Sequence, residues 1–199
     1  MKIIMNLLAS LSALYGIYGI MKGTEKGKLL EHGLRCLKYF TVLSNLLAML
    51  VTAADVIFLS VTPAGTQLPA VLSYLNFMAA VSVGLTFMTV MVYLGRLYGY
   101  AEMLKGPNFH LHLSAPLLTV FCFLFFLPLS QITFAGTFIA TLPMILYGIW
   151  YLANLLVNGT ENNDWYGFAR GGMKTMPVVY AAMFLFTWII SVVLWLIRF

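Results

Sequence analysis

The stretch Tyr39-Phe40-Thr41-Val42-Leu43-Ser44-Asn45-Leu46-Leu47-Ala48-Met49-Leu50 decides how this chain folds. It opens a long apolar run directly after a basic segment. It also carries three hydrogen-bonding side chains, Thr41, Ser44 and Asn45, in what are predicted to be the first turns of a helix. Residues three and four apart share a helix face. From Thr41 that spacing runs through Asn45, Ala48, Thr52 and Asp55. One stripe is therefore polar or small, while the remaining faces are Leu, Val, Met, Ile and Phe. A bilayer does not tolerate such a stripe cheaply, so it is predicted to face the interior of a helix bundle.

Composition sets the class of protein. Of 199 residues, 62% are hydrophobic and 9% charged. A soluble domain carries about 25% charged and about 45–50% apolar residues. The balance points to an integral membrane protein, and the length to a single domain, 1–199. The formal charge of +5 does not indicate a nucleic-acid partner. The basic residues lie between apolar segments, where they act as topology signals. Cys36 and Cys122 show neither metal-ligand spacing nor a disulfide framework, and they read as small apolar fillers.

A hydrocarbon core of about 30 Å needs about 20 apolar residues per helix. Six segments qualify: Ile3–Met21, Tyr39–Val61, Pro69–Leu94, Leu113–Leu129, Phe134–Val157 and Met176–Ile197. The expected fold is all-α, a six-helix transmembrane bundle. Pro128 is expected to end the fourth segment and Pro143 to kink the fifth, whereas Pro69 and Pro177 fall near helix starts. Lys2 followed by an apolar run resembles a secretory leader, but the expectation is a helix that stays.

Nine of the 11 Lys and Arg residues fall in loops 22–38, 95–112 and 158–175. Lys2 and Arg198 alone lie on the other side. The positive-inside rule then puts those three loops in the cytoplasm and both termini outside, as in a multi-pass protein of a bacterial inner membrane. Leu29–Lys38 is expected to form a short interfacial helix.

This topology places Thr41 and His112 at similar depth, each starting a helix at its cytoplasmic end. A hydroxyl becomes a useful nucleophile when a neighbouring base takes its proton, and histidine is the usual base near neutral pH. A Thr–His pair inside a bundle could attack an ester whose acyl chains lie in the bilayer. Asp55 would be about 21 Å from Thr41 along a regular helix and cannot join it. His110 and His112 point to different faces, so at most one faces the core. Around the site, Tyr15, Tyr18, Lys22, Tyr93, Arg96, Tyr151, Asn154 and the loop Glu161–Tyr166 would form a wall. Arg96 or Lys22 could pair there with a carboxylate or phosphate. Ser44, Asn45 and Asn154 are the candidates for an oxyanion donor.

The Phe40-Thr41-Val42-Leu43-Ser44-Asn45 run resembles the FT-x-x-SN signature of the androgen-induced protein and androgen-dependent TFPI-regulating protein family. His112 with Pro116, and Tyr147–Leu156 followed by Trp165-Tyr166, are similar to further features of its small bacterial six-helix relatives. The resemblance implies an intramembrane hydrolase of fatty acid esters of hydroxy fatty acids, with Thr41 as nucleophile and His112 as base. No cofactor is expected, and no metal, because no cluster of His, Cys and carboxylates sits at ligand spacing. The partner would be a membrane lipid or lipid-like ester. Two other functions fit the same cavity: a non-enzymatic protein that binds or moves a small amphiphile, and an acyltransferase working through an acyl-threonine.

Overall fold

The computed structural model describes residues 1–23, 33–126 and 132–198. Within them the chain is all-helical. Six helices are long and apolar enough to cross a membrane: Lys2–Lys22, Phe40–Val61, Ala70–Tyr98, Pro107–Phe126, Gly136–Asn158 and Met173–Arg198. They are called the first to sixth spans below.

The first four spans close a ring. The first packs on the second, the second on the third, the third on the fourth, and the fourth back on the first. The fifth and sixth flank this ring, and both lean on the third. The third span is accordingly the most enclosed, with 56% of its apolar window inside the bundle against 17% for the sixth. Leu146, Ile149, Val178, Leu185 and Leu196 face outward, which suits a hydrocarbon surrounding. The stripe read from the sequence is inside: Asn45, Ala48, Thr52 and Asp55 are all buried.

The helices depart from the expected segments in three places. The third span runs past Leu94 to Tyr98, through a π-helical turn at Val90–Leu94. The fourth begins at Pro107, not Leu113, because Pro107 occupies the first turn, where its missing N–H costs nothing. It then passes through a second π turn, His110–Ser114. The fifth span is broken rather than kinked. A short helix, Gly136–Ile139, gives way at Ala140–Thr141 to Leu142–Asn158, with Pro143 in the first turn of the new helix. Of the expected interfacial helix, Gly33–Lys38 is a 3-10 helix, while Leu29–His32 lie outside the described residues, as does Pro128.

Gly16 lets the first and fourth spans meet closely. A Cβ there would sit 2.7 Å from Leu111 Cδ2 and 3.1 Å from His110 Cβ. Gly16→Ala is therefore expected to destabilise the protein by about 1–3 kcal/mol through overpacking, read as a lower unfolding midpoint in detergent.

Candidate active site

A chamber lies at the end of the bundle where the second and fourth spans begin. Thr41 stands in the first turn of the second span. It is half-buried and lines the chamber. Among the described residues its hydroxyl makes none of the bonds to a carbonyl one turn back that Thr52 and Thr187 make. Ser44 takes the Thr41 carbonyl instead, at 3.1 Å, and meets Thr86 Oγ1 at 3.0 Å.

His112 lines the same chamber and is buried. Its Nδ1 lies 2.8 Å from the Met103 carbonyl oxygen. A carbonyl only accepts, so Nδ1 carries the hydrogen. In the neutral ring Nε2 then holds the lone pair. That is the tautomer a general base requires.

Asn45 ties the two together. Its Nδ2 donates to Thr41 O at 2.8 Å and to Leu111 O at 2.9 Å. A π turn leaves a carbonyl without its usual helical partner, and the amide of Asn45 occupies the Leu111 carbonyl inside the turn that carries His112. One buried side chain thus fixes the first turn of the second span against the π turn of the fourth.

The aromatic loop after the fifth span closes the chamber. Asp164 organises it, accepting from Tyr151 O–H at 2.5 Å, Phe168 N–H at 2.8 Å and Ala169 N–H at 2.9 Å. Tyr166 Oη accepts from Phe40 N–H at 2.8 Å, capping the helix that carries Thr41. Burial pushes the Tyr166 phenol up to about 12, so it remains an O–H near neutral pH. Tyr147 O–H donates to Lys38 O at 2.7 Å and accepts from Trp165 Nε1 at 3.2 Å. Asp164→Ala is expected to cost about 2 kcal/mol, because three donors lose a charged acceptor. Proteolysis within 159–172 should become faster than in the unaltered protein.

The chamber measures about 290 Å³. Val92, Tyr93, Leu97 and Tyr98 line it and are also exposed, so its mouth lies along the end of the third span. Of the residues singled out from the sequence, Thr41, His112, Tyr93, Tyr151 and, from the loop Glu161–Tyr166, Trp165 and Tyr166 line it. Ser44 and Asn45 stand behind that lining as struts. Asn154 Oδ1 accepts from Asn158 Nδ2 at 2.8 Å, away from the chamber. Arg96 is exposed and does not line it. Its neighbours Leu97 and Tyr98 do, and among the described residues the lining cation is Arg170. Tyr15 and Tyr18 line a different groove. Asn108 is an addition: it lines the chamber with a buried Oδ1 that has no partner among the described residues.

A second hydroxyl–imidazole pair lies outside the chamber. Ser12 Oγ is 3.0 Å from His110 Nδ1 and 2.9 Å from Ser114 Oγ, beside an outward-facing apolar groove of about 700 Å³. His110 and His112 therefore do serve different faces. Cys36 is buried, and desolvation raises its thiol, in keeping with a packing role. No group of three His, Cys, Asp or Glu residues among the described residues is placed to hold a metal ion.

Fold and site together define a six-helix bundle of membrane-spanning dimensions with a largely aromatic and apolar chamber at one end, into which Thr41, His112 and Arg170 are set. No family model, no curated protein and no solved structure matches the chain.

Proposed function

We propose that this chain is an intramembrane hydrolase of lipid-like carboxylic esters, working through Thr41 and His112. The observation that carries the reading is the Asn45 amide, which bonds to Thr41 O and Leu111 O at once and so holds the hydroxyl and imidazole turns together at one chamber. The FT-x-x-SN resemblance supports the same pair.

In the proposed reaction His112 Nε2 takes the proton of Thr41 Oγ as that oxygen adds to the ester carbonyl. The tetrahedral oxyanion forms at the positive N-terminal end of the second span, with the Tyr166 O–H beside the same turn. Collapse expels the alcohol oxygen, which leaves with the proton from His112. Water then adds to the acyl-threonine with His112 again as base, releasing the acid and restoring Thr41. Arg170 is the cation available to an anionic end of the substrate. The mouth at Val92–Tyr98 would admit acyl chains from the bilayer.

The test is labelling with a fluorophosphonate, followed by mapping of the modified peptide. The expected result is modification of Thr41 that disappears in Thr41→Ala and falls sharply in His112→Ala. Modification of Ser12 alone, or none in folded protein beside a positive control that labels, would move the reading to a protein that binds an amphiphile without cleaving it. If the acyl-threonine forms but prefers an alcohol over water, the activity is acyl transfer.

A further inference from the structure

The opposite end of the bundle holds a second cavity, of about 550 Å³, that the proposed reaction does not use. Asp55 lines it, buried, about 9 Å short of the end of its helix at 1.5 Å per residue. An ionisable side chain at such a position demands a partner. Asp55 Oδ1 accepts from Asn76 Nδ2 at 3.0 Å, one bond for a group that offers about four lone-pair positions.

Asn6 lines the same cavity. It is 4% exposed, and its buried Oδ1 has no partner among the described residues, while its Nδ2 donates to Lys2 O at 3.3 Å. Lys2 and Arg198 also line the cavity, yet among the described residues neither forms an ion pair with Asp55. The Arg198 guanidinium instead rests on the Leu124 carbonyl and lies 6.0 Å from the Phe123 ring centroid. The cavity wall thus carries two buried acceptor side chains, Asp55 and Asn6, and two cationic ones, Lys2 and Arg198.

We propose that this cavity binds a zwitterion carrying a primary ammonium and a phosphate, the phosphoethanolamine group. The ammonium offers three N–H donors, which Asp55 and the orphaned Asn6 Oδ1 accept. The phosphate meets Lys2 and Arg198. A bare cation would face both positive side chains, and a simple anion would face Asp55. Leu59, Phe125 and Phe126 on the wall suit acyl chains, beside the polar Thr66 and Gln67. The group would reach the site as the head of a phospholipid or as free phosphoethanolamine.

The full-length protein would be placed in nanodiscs of equal phosphatidylethanolamine, phosphatidylcholine and phosphatidylglycerol, and its retained lipid identified by native mass spectrometry. Phosphatidylethanolamine should be retained about tenfold over phosphatidylcholine, whose trimethylammonium donates no hydrogen bond. Asp55→Asn should abolish that preference. Lys2→Gln, at an exposed position where folding is not at stake, should weaken retention severalfold. Thr41→Ala should leave it unchanged, which separates this site from the proposed hydrolase. Binding of free phosphoethanolamine to the delipidated protein, lost in Asp55→Asn, would name the soluble source instead. Equal retention of the ethanolamine and choline lipids, with no binding of the free compound, overturns the proposal, as does a preference that survives both substitutions.

Discussion

Thr41→Ala is expected to lower ester hydrolysis about 10⁴-fold or more and to leave the protein folded. A residue that forms the covalent bond has no substitute, so the acyl-enzyme route is lost with its hydroxyl. The structural cost is small for a definite reason. Among the described residues the Thr41 hydroxyl holds no backbone carbonyl, and Asn45 and Ser44 bond to the Thr41 carbonyl, which alanine retains. The stability change should stay within about 1 kcal/mol. Thr41→Ser keeps the hydroxyl but loses the branched carbon that limits χ1, so a rate within about a hundredfold of the original is expected. Turnover of a long-chain p-nitrophenyl ester in nanodiscs, with an unfolding curve for each variant, reads both quantities. Undiminished turnover in Thr41→Ala would remove the nucleophile from the proposal.

The opposite substitution pattern belongs to Asn45. Its side chain touches no chamber surface, yet it donates to both turns that carry the site. Asn45→Leu should therefore lower stability and rate together, whereas Thr41→Ala lowers the rate alone. The Leu111 carbonyl would lose its buried side-chain donor, at about 1–3 kcal/mol, while the Thr41 carbonyl keeps the Ser44 hydroxyl. Comparing the two variants under identical conditions separates positioning from chemistry.

What could be read from the sequence was periodicity. The stripe Asn45, Ala48, Thr52 and Asp55 is buried because 3.6 residues per turn admits no other common face for it. The depth of Thr41 and His112 came from segment ends, and both line one chamber. What could not be read was local winding. The π turns at Val90–Leu94 and His110–Ser114 carry no residue signature, and beyond the first of them Leu97 and Tyr98 line the chamber while Arg96 does not. Arg170 was visible only as one more basic loop residue. Its place in the wall depends on the Asp164 cluster, which joins residues that sequence spacing alone does not bring together. The break at Ala140–Thr141 shows the same limit: Pro143 was legible as a disruption, but whether it kinks a helix or starts one depends on the turn before it.

His112→Ala is expected to slow hydrolysis about 10²–10⁴-fold, the range for loss of a positioned general base, and to change the shape of the pH profile. Because Nδ1–H is held by the Met103 carbonyl, the lone pair that does the work resides on Nε2. Protonation of the ring removes that lone pair and with it the acceptor for the Thr41 proton. The rate of the unaltered protein should therefore fall on the acid side as one group gains a proton. In His112→Ala the remaining slow rate should lose that limb and rise with hydroxide instead. His112→Gln gives the structural comparison, since its amide N–H can still reach a carbonyl. It should restore much of the stability lost in His112→Ala but none of the acid limb. A structural histidine would behave otherwise: both substitutions would lower the unfolding midpoint, and the pH profile of the residual activity would keep its form. The profile, more than the size of the rate loss, therefore decides whether His112 moves a proton or only supports the wall.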